Sequence, residues 1–74
     1  MKMTFTAAMA RREGFGPAGT RATRNNNPLN VEWGPFARRY GAMRLEAMPA
    51  GSKRRPRFAY FPDAATGFAA AKAL

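Results

Sequence analysis

The sequence predicts a small α+β fold, a single domain over residues 1–74 with a helix near each end and a short antiparallel β-sheet between them. Three observations predict it. Apolar residues recur at helical spacing near both ends of the chain. In one central stretch, residues 29–33, they alternate with polar residues as in a strand, and residues 57–61 place Phe58 and Tyr60 on one face of a second strand. Gly, Pro and Asn cluster between these segments, where turns belong.

The first helix is expected over residues 5–13. Thr4 is a suitable N-cap, and Gly14 stands where a C-terminal cap belongs. Residues 14–28 are rich in Gly, Pro and Asn, which indicates a long loop.

The middle of the chain predicts the sheet. Residues 29–33 alternate apolar and polar side chains, which predicts a strand. Residues 57–61 also predict a strand, with Phe58 and Tyr60 on one face. Residues 36–40 predict one helical turn, whereas residues 41–48 are compatible with either a strand or a loop. We therefore expect an antiparallel pair of strands.

The final helix is expected to begin after Asp63, whose side chain is a typical N-cap. The core is expected from large apolar residues that share one face of their element. These residues are Phe5, Met9, Val31, Trp33, Phe58, Tyr60 and Phe68.

Charge is the property that points most directly to a function. Thirteen Lys and Arg residues face four Asp and Glu residues, for a net charge of +9. This surplus repels itself in a compact fold, and it is typical of proteins that bind nucleic acid, an anionic polymer or membrane, or an acidic protein surface. A solvated surface in an arginine-rich proteome is the alternative explanation.

The composition also excludes several kinds of chemistry. The sequence has neither cysteine nor histidine, which excludes disulfides, thiolate metal sites and a histidine general base. We expect no metal and no cofactor. No apolar stretch reaches the roughly 20 residues that a membrane span needs, and no secretion signal is visible. A chain without cysteine fits a cytoplasmic location.

The basic residues occur in runs, and we expect these runs to carry binding. Each guanidinium is a planar fork that binds carboxylate or phosphate through two hydrogen bonds. The primary binding candidates are Arg38, Arg39, Lys53, Arg54, Arg55 and Arg57. The secondary candidates are Arg11, Arg12, Arg21 and Arg24. Aromatic residues lie nearby in sequence, a combination that suits single-stranded nucleic acid, although the core needs most of them.

Glu13 and Glu32 are the candidate catalytic residues if the protein is an enzyme. Glu13 closes the first predicted helix, where the helix dipole disfavours a negative charge. A carboxyl group that keeps its proton suits the general acid of glycosidic cleavage, with Glu32 as the second carboxylate. The alternative for Glu13 is an ion pair with a neighbouring arginine.

The asparagines of residues 25–30 have two interpretations. Asparagine side chains satisfy backbone groups in tight turns and tolerate left-handed conformations. A turn-stabilising cluster is therefore the favoured interpretation. Recognition of a sugar or of a base edge is the alternative.

Three segments of the chain resemble one protein family. Residues 11–15 read Arg-Arg-Glu-Gly-Phe, residues 23–42 contain Asn-Asn-Asn-Pro-Leu-Asn, and residues 57–68 end in Pro-Asp-Ala-Ala-Thr-Gly-Phe. They resemble the helix-ending "EGF", the "NNPGN" segment and the stretch that follows it in small phage and prophage lysozyme-like, peptidoglycan-hydrolase-like proteins. The resemblance implies a lysozyme-like ancestry with Glu13 in the position of the general acid.

The chain departs from this family in two respects. Leu29 stands where the family has glycine, and the family continues beyond the point where this sequence ends, so we expect one wall of a glycan cleft at most. We therefore expect a phage-type binding or inhibitory protein, for example one that resembles anti-CRISPR proteins. It would dock its basic patches onto an acidic protein surface or a nucleoprotein complex in the host cytoplasm. The alternatives are a peptidoglycan-active module that uses Glu13 and a nucleic-acid-binding protein.

Overall fold

The computed structural model describes residues 7–74, in which four helices and a two-stranded antiparallel sheet follow one another along the chain. This confirms the predicted α+β class. The elements are α1 (Ala7–Arg12), α2 (Arg21–Arg24), α3 (Pro35–Arg39), β1 (Arg44–Leu45), β2 (Ala59–Tyr60) and α4 (Ala64–Ala73).

The first helix ends one residue before the predicted end. Helix α1 stops at Arg12, and Gly14 follows with φ of +88°, a left-handed conformation that favours glycine. The predicted start of this helix and its cap at Thr4 lie outside the described residues, as does the predicted core residue Phe5.

Helix α2 lies inside the segment that the sequence predicts to be a loop, and that prediction is wrong for residues 21–24. Thr20 is its N-cap, since its hydroxyl accepts a hydrogen bond from the Thr23 backbone N–H at 3.4 Å. Ala22 is buried. A helix of one turn is too short to show periodicity, so tertiary burial rather than local pattern stabilises it.

Helices α3 and α4 confirm the predictions for their segments. Helix α3 begins with Pro35, at the position where a helix tolerates proline best. Helix α4 follows Asp63, whose Oδ1 accepts hydrogen bonds from the Thr66 backbone N–H at 2.8 Å and hydroxyl at 2.7 Å. These two bonds hold the pKa of Asp63 below its usual value.

The sheet is centred on β2. Strand β1 pairs with it in antiparallel register, with Arg44 opposite Tyr60 and Leu45 opposite Ala59. Residues 31–33 lie along the other edge of β2. The predicted strands at 29–33 and 57–61 are therefore shorter than expected.

Residues 31–33 contact β2 through an isolated antiparallel bridge. Glu32 lies opposite Phe58 in this bridge. The Ala59 N–H donates to the Val31 carbonyl at 2.9 Å, and the Trp33 N–H donates to the Arg57 carbonyl at 3.0 Å. Three extended segments thus lie side by side, with β2 in the middle.

The buried core consists mainly of alanine. Its buried hydrophobic members are Ala10, Ala22, Ala37, Ala59, Phe61, Ala70 and Ala71. Phe61 is the largest of them and is completely buried. Small side chains of α3, β2 and α4 (Ala37, Ala59 and Ala70) gather around Phe61 in one buried cluster.

The face of β2 that enters the core is the opposite of the predicted one. Ala59 and Phe61 are buried, whereas Phe58 and Tyr60 are only half-buried and lie on the outer face, so the prediction of these two as core residues is wrong. Successive side chains of a strand point to opposite faces, but the sequence alone does not show which of the two faces is buried. The predicted residues Val31, Trp33, Met9 and Phe68 do pack, half-buried, against the two clusters of core residues.

Helix α4 docks against the asparagine-rich turn through Gly67. A Cβ atom at this position would lie 1.7 Å from the Asn26 carbonyl oxygen. Only glycine permits that approach, and it brings the helix onto Pro28, which is also completely buried.

Candidate binding surface

The asparagine side chains hold the fold together, which confirms the turn-stabilising interpretation. Asn27 is completely buried; its Nδ2 donates to the carbonyls of Val31 at 2.9 Å and Ala59 at 3.0 Å. Its Oδ1 accepts from the Val31 N–H at 2.9 Å. Asn26, with φ of +51°, donates to the Phe61 carbonyl at 2.9 Å. The amide groups of Asn26 and Asn27 thus bind backbone groups of β2 and of the segments beside it.

Glu46 is the centre of the largest polar cluster in residues 7–74, and the sequence analysis assigned it no role. It is only 4 % exposed. Its carboxylate accepts two hydrogen bonds from the Arg21 guanidinium, both at 2.6 Å. The backbone N–H groups of Arg57 and Phe58 donate at 2.8 Å and 2.7 Å, and Asn25 Nδ2 donates at 3.3 Å.

These five donors decide the charge state of Glu46. Burial by itself would raise the pKa of its carboxyl group. The hydrogen bonds from Arg21, Phe58, Arg57 and Asn25 outweigh that effect and lower the pKa to about 2. The carboxylate is therefore charged at neutral pH and ties α2 and β1 to the start of β2.

Arg21 differs from the other basic candidates because its guanidinium is bound by the buried carboxylate of Glu46. Its side chain is 23 % exposed, and its Cζ lies 4.5 Å from the Phe58 ring centroid. The ion pair with Glu46 also raises the pKa of Arg21. In this arrangement Arg21 stabilises the fold, and its hydrogen-bonding fork is not free for a partner.

The other basic candidates face solvent. They are Arg38 and Arg39 of α3, Lys53, Arg54 and Arg55 of the loop between the strands, Arg57 before β2, and the secondary candidates Arg11, Arg12 and Arg24. Arg24 also donates to the Gly19 carbonyl.

The loop and α3 meet around Trp33. The Arg38 Cζ lies 5.8 Å from the Trp33 ring centroid, and the Trp33 backbone N–H donates to the Arg57 carbonyl at 3.0 Å. Residues 53–57, here called the basic loop, therefore end beside the strand segment on which Arg38 packs.

The two candidate catalytic carboxylates are both exposed. Glu13 lies just beyond α1, and its backbone carbonyl accepts a hydrogen bond from Asn30 Nδ2 at 3.0 Å. Glu32 pairs with Arg57, with 2.6 Å between Glu32 Oε1 and Arg57 Nε. Glu13 is exposed and does not lie in an apolar pocket of the kind that surrounds a glycosidase acid. Its role as a general acid stays a prediction.

The outer sheet face, defined here as Glu32, Arg44, Phe58 and Tyr60, is a second surface of interest. Arg44 was absent from the candidates, yet its Cζ lies 4.0 Å from the Tyr60 ring centroid. Alternation in the run Arg44-Leu45-Glu46 is the sequence signal that could have identified this face, since it places Arg44 and Glu46 together.

Comparisons with known proteins identify no relative. No family model matches the chain, and no curated protein and no solved structure matches it either. The lysozyme-like resemblance therefore stays a prediction. Within residues 7–74 no helix is long and apolar enough to cross a membrane, and no group of acidic side chains gathers that could hold a metal ion.

Proposed function

We propose that this protein acts by binding an acidic partner through its arginine-rich surface rather than by catalysis. The observation that carries the proposal is the distribution of carboxylates. Glu46 is occupied by Arg21, Glu32 pairs with Arg57, and Asp63 caps α4. Within residues 7–74 no other salt bridge forms, so most of the surplus cations face solvent without a carboxylate partner.

The basic loop is the main contact in this proposal, with Arg38 and Arg39 as the second. Its residues Lys53, Arg54 and Arg55 are exposed and contribute nothing to the core. The Arg54 backbone N–H donates to the Ser52 hydroxyl at 3.3 Å, and Pro56 restricts the loop further. A partly ordered loop loses less conformational entropy when it docks.

The size, the charge and the phage-type resemblance support an inhibitory role, with an acidic protein surface or a nucleoprotein complex of the host cell as the partner. Catalysis has weaker support. Glu32 is neutralised by Arg57, and Glu13 lies in water at the end of α1.

A pair of charge reversals tests the proposal. Arg54→Glu with Arg55→Glu and, as the control, Arg11→Glu with Arg12→Glu each lower the net charge by four, from +9 to +5. Binding to heparin, a sulfated polymer, is measured by anisotropy at fixed salt. We expect the reversal in the basic loop to weaken binding far more than the control.

Equal losses in the two variants would show that only net charge matters and would contradict a defined binding surface. A separate assay addresses catalysis. Clearing of purified cell walls by the wild-type protein, abolished by Glu13→Gln, would show that the protein is an enzyme.

A further inference from the structure

The outer sheet face carries an arginine that is exposed and yet held in place. Arg44 and Tyr60 are directly opposite in the register of β1 and β2. The Arg44 Cζ lies 4.0 Å from the Tyr60 ring centroid, and Arg44 Nη1 donates to the Leu45 carbonyl at 3.3 Å. The ring and the carbonyl restrict the guanidinium, while Arg44 stays open to solvent.

A second arginine–aromatic contact lies next to the first. Phe58 is two residues before Tyr60, which places the two side chains on one face about 7 Å apart along the strand. The Arg57 Cζ lies 5.4 Å from the Phe58 ring centroid, and the Arg57 side chain is 67 % exposed. Arg21 also covers this ring, at 4.5 Å, and is fixed by Glu46.

Guanidinium groups that lie over aromatic rings suit a nucleic-acid partner better than an acidic protein surface. A planar guanidinium stacks on nucleobases and binds phosphate through its fork. Carboxylates on a protein surface use the fork but offer no flat face for stacking. Bases are accessible for stacking in single strands, whereas in a duplex they stack on one another. Arginines supported by aromatic rings therefore favour single-stranded nucleic acid.

The basic loop is continuous with this face. Arg57 ends the loop and also lies over Phe58. The cations at residues 53–55 can therefore follow a phosphate backbone whose bases lie over β2. The exposed carboxylate of Glu32 would repel a phosphate backbone. Its ion pair with Arg57 is exposed to water, however, where such pairs contribute little stability, so Arg57 can exchange Glu32 for a phosphate.

We propose that the outer sheet face, with the guanidinium groups of Arg44 and Arg57, is a stacking site for the bases of single-stranded nucleic acid. This rests on the proposed function, because the basic loop supplies the phosphate contacts.

The test compares two labelled oligomers of equal length and charge, an oligothymidylate and an abasic oligodeoxynucleotide. Anisotropy at fixed salt gives their affinities for the full-length protein. We expect the oligothymidylate to bind at least about fivefold more tightly, because stacking of even one base contributes that much. Arg44→Lys keeps the charge but removes the planar group, and it should abolish most of this preference while leaving abasic binding unchanged.

Glu32→Gln provides a second, independent variant. It releases Arg57 and removes the exposed negative charge, so we expect it to tighten binding of both oligomers. Thermal unfolding followed by circular dichroism shows whether each variant is folded. Arg44 and Glu32 are both exposed, so neither change disturbs the core.

The outcomes separate this inference from the proposed function. Equal affinities for the two oligomers, or an unchanged preference in Arg44→Lys, would overturn the stacking site. If heparin binding still depends on the basic loop, the proposed function stands. Binding to heparin but to neither oligomer would likewise overturn the nucleic-acid inference alone. Failure to bind heparin or either oligomer would overturn both.

Discussion

Replacing Glu46 by glutamine is the most informative single change, because this carboxylate connects three parts of the fold. It accepts hydrogen bonds from Arg21, from Asn25 and from two backbone N–H groups that precede β2. Glutamine has nearly the same shape but no charge. Its NH₂ group also faces N–H donors where the carboxylate presented an acceptor. The Arg21 guanidinium is left without its counter-ion.

Two independent arguments give the size of the effect. Removing one partner of a buried ion pair typically lowers the free energy of unfolding by about 3–5 kcal/mol. The second argument uses the pKa of Glu46, which is lowered from 4.5 to about 2. At about 1.4 kcal/mol for each unit of pKa, the charged form stabilises the folded protein by about 3 kcal/mol. A chain of this length has a free energy of unfolding of roughly 4–11 kcal/mol, so Glu46→Gln removes a large share of it.

The pH dependence has a definite sign. The pKa of Glu46 is lower in the folded than in the unfolded protein, so its contribution is complete above a pH of about 4.5 and is lost as the pH falls toward about 2. The difference in stability between wild type and Glu46→Gln should therefore shrink as the solution is acidified. Asp63, whose pKa is also lowered, titrates in both proteins and cancels from the difference.

Urea denaturation at neutral and at acidic pH, followed by Trp33 fluorescence, measures both effects. Glu32→Gln is the matched control, because it makes the same chemical change in an exposed ion pair and should cost less than about 1 kcal/mol. The reasoning is refuted if Glu46→Gln is no more destabilising than this control, or if its effect does not shrink at acidic pH.

Two further predictions concern packing, and each has its own control. Phe61→Ala should cost about 3–5 kcal/mol in chemical denaturation, because this ring is completely buried. The half-buried Phe58→Ala should cost less than half of that, and the reverse order would contradict the observed face of β2. Gly67→Ala should destabilise by about 1–3 kcal/mol or more despite the better helix propensity of alanine, because its Cβ would meet the Asn26 carbonyl oxygen at 1.7 Å. Gly34→Ala has open space around it and changes only the N-cap of α3, so it should cost less than Gly67→Ala, about 0.5–1 kcal/mol in the same assay. Equal effects of the two changes would show that α4 does not dock at Gly67.

The features that the sequence predicts correctly depend on residues close together in the chain. Asp63 caps α4 through Thr66, only three residues later. The helical turn predicted at residues 36–40 overlaps α3, and Gly14 follows the end of α1 with the positive φ that a glycine C-cap favours. The surplus of positive charge, and with it the expectation of an acidic partner, follows from composition and needs no coordinates.

The tertiary structure alone decided which carboxylate is buried and which face of β2 is inside. The partners of Glu46 include Arg21 and Phe58, which lie 25 and 12 residues away in the chain, and no local pattern specifies such a contact. The side chains of residues 57–61 point alternately to two faces of the strand, and both faces carry an aromatic ring, so only the packing of the helices decides which face is buried. The helices pack on Ala59 and Phe61, and Phe58 and Tyr60 stay on the outer face, where arginine side chains lie over their rings.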